Sequence, residues 1–588
     1  MRCIGIRDNS VSFLVGGEAG QGITRSGSLL GKAFMRGGFH IFGANDYPSV
    51  IRGSHNFHVL NVSDEEVHSQ ADTVDLLLAL NKETVLLHER EMSEGGGVIY
   101  DEQTEFSEGE LERGDIKLYP IPLSTIVDEI GGPSIIRNTV ALGAAVSLVD
   151  FDIEIIKGVI SDTFAGRGDI VEMNNKAVDM GYGYAMEHYE DDFSCRLVPS
   201  DEIRDRIMLT GNDAIALGAI HAGCKLYAAY PMTPASPILH YMAAHDVDNG
   251  MVVIQSESEI AAINMIIGAS YGGLRAMTAT SGGGFSLMTE ALGLSAMTET
   301  PIVLMIGQRP GPSTGMPTYS AQGDLLFALH ASQGEFLRVV VAPGDVNGCF
   351  YRTMEAFNLA EKFQIPAIIL TDKYLVESHK STEPFNTGRV GIDRGDLLLI
   401  DEWTEAEEYK RYKITESGVS PRILPGMRGA TVLANSNEHV EYGYTTTDPE
   451  KVVAMVEKRF RKQEALKREI EALQPVRIFG AEDAKVSLVG WGSTKGPALE
   501  ALKMLRRDGI EARFIQVVYM APFPSDAVGE ALRGEGKFML LEANRTAQLG
   551  TLIKLHKGFT FEYVALKYDG RPFNPGEICA KVREVLRW

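Results

Sequence analysis

The run MVVIQSESEIAAINMIIGASYGG, from Met251 to Gly273, decides the fold. An apolar segment of strand length, Met251 to Gln255, breaks at the polar corner Ser256-Glu257-Ser258-Glu259 and passes into a nearly uncharged stretch of helical length. Strand, corner and buried helix in that succession form the repeating unit of a parallel, doubly wound α/β sheet. The same alternation extends outward on both sides. It predicts a helix over Asn212–Ala222, a strand Lys225–Ala229, a helix after Pro237, a helix from Glu257, and strands near Ala276–Thr278, Ile302–Ile306, Arg338–Val341 and Ile368–Leu370. Ligands of such sheets gather beyond the carboxyl ends of the strands, so the loops there are where chemistry is sought.

Three of those loops stand out. Tyr230-Pro231-Met232-Thr233-Pro234-Ala235-Ser236-Pro237 has prolines that stiffen the backbone around a presented hydroxyl. The corner at Glu257 and Glu259 brings two acids to a helix start, where either can serve the helix dipole. Glu259 is followed at once by Ile260-Ala261-Ala262-Ile263, which suits an inward-turned carboxylate, whereas Glu257 suits the dipole. The third loop, Gly307 to Thr318, is too rich in Gly and Pro for regular structure and sets one guanidinium, Arg309, just past a buried strand. A fixed fork beside threonines matches a planar carboxylate. Between these loops, Thr278 to Ser286 reads either as an anion-cradling turn or as a place of close backbone packing against a neighbouring subunit.

A first α/β block precedes this one, over residues 1–190. Its apolar run Val11–Val15 leads into Gly16-Gly17-Glu18-Ala19-Gly20-Gln21-Gly22 and then a helical pattern from Ile23 to Arg36. Strand, glycine turn and helix offer backbone N–H groups to a phosphate, and equally permit a plain tight reversal. Strands are expected near His40–Phe42, Phe57–Val62 and Leu76–Leu80, and the polar loop Asn45 to Asn56 exposes Arg52. Residues 191–206 read as a linker, 207–385 as the doubly wound block, 386–479 as a connector, and 480–588 as a third α/β block. Within the connector, Lys451–Leu473 has helical period and mixed charge, the pattern of a solvated helix.

At 588 residues the chain exceeds one core, and at roughly 150 residues per domain it holds three or four. A net charge of -23 argues against a nucleic-acid surface or a polybasic membrane contact. No apolar run approaches the ~18 residues that span a bilayer, and the N-terminus runs straight into the glycine turn, so a cytoplasmic protein is expected. Five cysteines, Cys3, Cys195, Cys224, Cys349 and Cys579, lie too far apart for a C-x-x-C ligand motif, so no metal site is assigned to this chain.

Taken together, YPMTPAS, the helix opening ESEIAAI, TATSGGGFSLMTEALGLS and GQRPGPSTGMPT, in this order and spacing, resemble the α subunit of the 2-oxoacid:ferredoxin oxidoreductases. GEAGQG and YPSVIRGSHN resemble the γ domain that some members carry in front, and VSLVGWG with LLEANRTAQLG resembles their transketolase C-terminal-like domain. The resemblance implies three α/β domains, with a thiamine-diphosphate-binding, pyrimidine-type fold between the other two. It implies oxidative decarboxylation of a 2-oxoacid, 2-oxoglutarate for preference, to acyl-CoA, CO2 and reduced ferredoxin. Pyruvate and branched or aromatic 2-oxoacids are the alternatives. A non-catalytic scaffold and another thiamine- or nucleotide-linked transferase stand behind these.

Carried over by position, the resemblance makes Glu259 the carboxylate on the thiamine pyrimidine, with Pro231 beside the cofactor. Gly268 follows Glu259 at the interval the family's essential glutamate keeps from a glycine. Thr233, Arg309 and Thr318 would bind the substrate's 1-carboxylate, and Gly17, Gly20, Gln21, Gly22 and Arg52 would contact coenzyme A. No Gly-Asp-Gly loop and no cysteine cluster occur in the sequence. A β subunit is therefore expected to supply the diphosphate site with its Mg²⁺ and a [4Fe-4S] cluster, and to pass electrons to ferredoxin. Two departures touch loop geometry: GGG at 282–284 where members show Gly-Pro-Gly, and ESE in place of a frequent EDE.

Overall fold

The computed structural model describes residues 7–49, 53–107, 109–199, 205–398, 408–534 and 536–587. The chain gathers into two compact units, one of Met1–Leu209 with Glu377–Pro384 and Asn574–Glu577, the other of Thr210–Val376, Phe385–Phe573 and Ile578–Trp588.

The first unit is built on an eight-stranded mixed sheet. Its strand order is Lys117–Ile121, Met92–Asp101, Val74–Ala79, Ser10–Glu18, His55–Ser63, His40–Asp46, His379–Thr382 and Ile207–Thr210. The strand Val74–Ala79 is buried throughout, as its unbroken apolar run requires. Helices Ile23–Arg36, Arg137–Leu148 and Gly168–Tyr189 cover one face and enclose a core that includes Phe13, Phe34, Val140 and Phe151. Met92–Asp101, Lys117–Ile121, Ile207–Thr210 and His379–Thr382 were not expected from the sequence. His379–Thr382 pairs antiparallel with His40–Asp46, with Lys380 opposite Phe42. Four residues between two loops have too little length to show a period of their own.

The second unit holds two sheets. The first runs Val252–Gln255, Cys224–Ala229, Arg275–Thr280, Ile302–Gln308, Pro366–Asp372, Val339–Val341 and Tyr519–Ala521. Its ladders are parallel except the last, where Tyr519–Ala521 returns antiparallel from the C-terminal region. The second runs Val476–Gly480, Ala512–Val517, Val486–Trp491, Lys537–Glu542 and Tyr563–Leu566. One buried cluster spans both sheets, from Ile263, Phe285 and Leu304 to Val489, Ile515 and Leu540.

The solvated connector helix requires correction. The charged stretch forms two helices, Pro449–Arg461 and Gln463–Ala472, with Lys462 between them. Lys458 and Lys462 are buried, and both bond Glu299, itself 1% exposed. Arg411 adds a bond from Nη2 to the Glu299 carbonyl, 2.7 Å. Burial by itself raises the Glu299 carboxyl, but Lys458, Lys462 and Arg411 hold it well below the usual carboxylate range. Burial pushes Lys458 down to about 7 against the pull of Glu299. A second buried acid works the same way: Glu361 receives Arg275 at 2.7 Å, Arg422 at 2.9 Å and Arg394 at 2.6 Å. Removing one partner of such a pair costs about 3–5 kcal/mol, so the connector is clamped rather than tethered.

Candidate active site

In the second unit the loops after the parallel strands gather the residues singled out by the sequence. Ser258 caps the helix Glu259–Tyr271, its hydroxyl accepting from the Ala261 N–H at 3.2 Å. The helix thus starts two residues later than its expected start at Glu257. Glu257 falls before the cap and is exposed, while Glu259 is 4% exposed and turned inward. The two acids of the corner are separated by that cap, and the dipole-facing role expected of Glu257 does not arise.

The inward carboxylate lies against the glycine turn. A Cβ placed on Gly284 would stand 2.0 Å from Thr280 Oγ1 and 2.7 Å from Glu259 Oε1. On Gly282 it would stand 2.4 Å from Asp324 Oδ2, whereas on Gly283 it would meet open space. Gly282 and Gly284 are therefore absences of side chain that admit two acids, which disfavours the anion-cradling reading of this turn. Burial pushes the Asp324 carboxyl up to about 6. Thr278, Thr280 and Ser281 are fully buried, and their hydroxyl oxygens have no hydrogen-bond partner. Buried, unsatisfied hydroxyls are rare and suit a polar group brought in from outside the chain.

The loop between the strand Cys224–Ala229 and the helix Ser236–Ala244 carries Pro231 and Thr233, both half-buried. Asn212 Nδ2 donates to the Pro234 carbonyl at 2.9 Å and holds this loop from the helix Gly211–His221. Arg309 Nη1 donates to the Thr233 carbonyl at 2.8 Å, so the structure brings these two expected residues together. Burial lowers the Arg309 guanidinium somewhat, yet it remains a cation at any working pH. Thr318 is buried at the far end of the same loop, and its hydroxyl lacks a partner. The loop turns back through Met316 N–H to Pro310 C=O, 3.0 Å.

Several polar groups that support these loops were missed. Gln308 and Gln322 are wholly buried, and Gln308 Oε1 accepts from the Asp324 N–H at 2.9 Å, closing the stem of the Arg309 loop. An interior glutamine leaves no periodic trace in a sequence. Asn212 did leave one, as a polar residue opening the apolar run AIALGAI.

In the first unit, the glycine turn leaves the strand Ser10–Glu18 and enters the helix Ile23–Arg36. The Glu18 N–H donates to Gln21 Oε1 at 2.8 Å, and the Gln21 N–H donates back to the Glu18 carbonyl at 3.1 Å. Gly20 and Gly22 take φ values of 94° and 75°, and Gly22 caps the helix with no side-chain bond and no acid in the first turn. Asn138 Nδ2 donates to the Gln21 carbonyl, steadying the turn from the helix Arg137–Leu148. A helix N-terminus with free N–H groups and no local acid suits a negative ligand. Arg52 lies outside the described residues. Close by, His55 Nε2 stands 2.8 Å from His88 Nε2, and His88 Nδ1 stands 2.9 Å from Glu91 Oε2. Burial, with His88 alongside, lowers the His55 imidazole below its ordinary range.

Comparison with known proteins bears on both units. Residues 217–458 match the family model for the pyruvate flavodoxin/ferredoxin oxidoreductase, thiamine diP-binding, domain. Residues 12–184 match the pyruvate ferredoxin/flavodoxin oxidoreductase model and residues 484–577 the pyruvate:ferredoxin oxidoreductase core domain II model. The chain is 34% identical to 2-oxoacid:ferredoxin oxidoreductase 2, subunit alpha, of Aeropyrum pernix, over 98% of each. It is 32% identical to the 2-oxoglutarate synthase subunit KorA of Methanothermobacter thermautotrophicus, over 65% of this chain and all of that one. A solved 2-oxoglutarate:ferredoxin oxidoreductase from Magnetococcus marinus, with 2-oxoglutarate, coenzyme A and succinyl-CoA bound, superposes with a TM-score of 0.90. The identity is 32%, over 98% of this chain and 99% of that one.

Proposed function

Because the chain belongs to the alpha subunits of the 2-oxoacid:ferredoxin oxidoreductases, we propose that with a beta subunit it converts 2-oxoglutarate, coenzyme A and oxidised ferredoxin to succinyl-CoA, carbon dioxide and reduced ferredoxin. The observation that carries the reading is the separation of the two acids at 257 and 259. Only Glu259 is buried, beside a glycine that a side chain would fill and hydroxyls left without partners. That setting fits the aminopyrimidine of thiamine diphosphate, which needs a carboxylate and hydrogen-bonding neighbours in a dry pocket. When bound, the cofactor supplies the nucleophile and the electron sink.

This chain's own part is positioning and proton handling. Glu259 holds or releases a proton at its carboxylate oxygens, shielded from water by the helix Glu259–Tyr271 that it opens. Arg309, fixed on the Thr233 carbonyl, directs its remaining N–H groups at the substrate's 1-carboxylate, and Thr233 and Thr318 add hydroxyls. The turn at Gly17, Gly20, Gln21 and Gly22, with Arg52, takes the phosphates of coenzyme A. Mg²⁺, the [4Fe-4S] cluster and the docking of ferredoxin belong to the beta subunit. The solved relative with 2-oxoglutarate and succinyl-CoA supports 2-oxoglutarate over pyruvate.

The test is co-expression with the beta subunit and dye reduction over a panel of 2-oxoacids with coenzyme A. The highest kcat/KM should fall to 2-oxoglutarate, and the isolated chain should be colourless and inactive. A preference for pyruvate would overturn the substrate. In the same complex Glu259→Gln should lose several orders of magnitude in turnover and Glu257→Gln far less; the reverse order would move the role to Glu257. Arg309→Ala should cost about 2–4 kcal/mol in kcat/KM for the 2-oxoacid, and Arg309→Lys nearly as much, because a point charge lacks the fork.

A further inference from the structure

The five-stranded sheet of the second unit carries no candidate site residue, yet the segment following the Arg309 loop is bonded to that sheet and to the loops and helix beside it. Ser320 N–H donates to the Gly570 carbonyl at 3.0 Å. Gln322 is 0% exposed, and each of its polar atoms is engaged. Its N–H donates to the Ala543 carbonyl at 2.7 Å, and its carbonyl accepts from Asn544 Nδ2 at 3.1 Å. Its side chain donates through Nε2 to the Trp491 carbonyl at 2.9 Å and accepts at Oε1 from the Ala543 N–H at 2.9 Å. Gly492 keeps the space open, since a Cβ there would stand 2.8 Å from Gln322 Nε2. Gln548 closes the arrangement with a bond from Nε2 to the Gly323 carbonyl at 2.7 Å. Residues 311–316, by contrast, are exposed.

We propose that Gln322 is a positioning residue that fixes the loop bearing Arg309 and Thr318 to the C-terminal sheet, so that this sheet serves the reaction by holding the substrate loop in register. The proposal rests on the reading of Arg309 and Thr318 as the carboxylate site. A loop with an exposed crown is only as well placed as its feet, and the feet here are Gln308 and Gln322. Gln308 ties the stem within the parallel sheet, through Asp324 and the Thr371 carbonyl at 2.9 Å. Gln322 reaches the other sheet through its side chain and backbone together, at Trp491, which ends one strand, and at Ala543, which directly follows another. Replacing it with Met keeps the volume, takes one of two donors from the Trp491 carbonyl, which still accepts from Thr494 Oγ1 at 2.7 Å, and leaves the buried Ala543 N–H without a partner. The foot then relaxes, and Arg309 drifts from the substrate.

The experiment uses the complex with its beta subunit and measures kcat and KM for 2-oxoglutarate and for coenzyme A. The forms compared are wild type, Gln322→Met, Arg309→Ala and the double variant. Gln322→Met should lose about 100-fold in kcat/KM for the 2-oxoacid, the scale of an ångström's misplacement, with the KM for coenzyme A unchanged. In the Arg309→Ala background the further loss should nearly vanish, because the residue being positioned is gone. Wild-type kcat/KM in Gln322→Met, or an equal loss in both backgrounds, would overturn the proposal. Wild-type activity in Arg309→Ala alone would instead sink the carboxylate reading. Should Gln322→Met fail to fold, Gln322→Glu carries the test. Its protonated form can still donate to the Trp491 carbonyl, so its deficit should shrink as pH falls, and a pH-independent deficit would count against the role.

Discussion

Two glycine-rich turns, Gly16–Gly22 in the first unit and Gly282–Gly284 in the second, look alike in sequence, yet Gly20 and Gly22 of the first serve a different need from Gly282 and Gly284 of the second. In the first, Gly20 and Gly22 supply positive φ, and the turn closes on itself through Gln21, leaving a helix start free of acids. In the second the glycines make room for side chains from elsewhere, Glu259 against Gly284 and Asp324 against Gly282. One turn is open to an anion and the other is already lined with carboxylates. A glycine motif therefore reports that a Cβ is unwelcome, and only the neighbours say whether the cause is backbone angle or a guest.

The largest effect should come from filling the second turn. Gly284→Ala places a methyl where Thr280 and Glu259 already stand, and should lower turnover of the complex by at least about 100-fold, while Gly283→Ala, facing open space, should leave it unchanged. Equal effects at the two positions would erase the distinction between a guest site and an ordinary helix start.

A smaller effect concerns Asp324, whose carboxyl is raised to about 6 in the folded protein from an ordinary 3.8. A raised acid binds its proton more readily folded than unfolded, so stability falls as pH rises from about 4 to about 6, and the penalty is full above that. Asp324→Asn should therefore stabilise the protein above pH 6 by on the order of 2 kcal/mol, seen as a higher thermal midpoint, and give no gain below about pH 4. A gain that is the same at all pH values would mean that the carboxylate is not held in a dry setting.

The smallest effect belongs to the first turn. Gly20→Ala meets no atom within 4 Å and suffers only from its φ of 94°, so it should cost about 1–2 kcal/mol of stability. The KM for 2-oxoglutarate should not move, and Arg52→Ala should raise the KM for coenzyme A alone. A change confined to the 2-oxoacid would assign this turn to another task.

The sequence by itself determined many of the local elements of both units and the loops that carry the candidate site. Strand, corner and helix were legible from Met251 onward because apolar runs of strand and helix length flank a polar corner; within the run after Glu259, Ala262 and Ile263 are buried with it while Ile260 is exposed. What only the tertiary structure decided lies between residues far apart. Ser258, not Glu257, starts the helix, since a cap is chosen by which hydroxyl reaches the Ala261 N–H. His379–Thr382 and Tyr519–Ala521 join sheets begun hundreds of residues earlier, and strands so short carry no period to announce it. Lys458 and Lys462 read as solvent-facing because their partner, Glu299, stands some 160 residues away in the chain. Gln322 was invisible on the same ground: a buried amide is tolerated only where backbone groups from another sheet satisfy it, and no local pattern records where those groups will be.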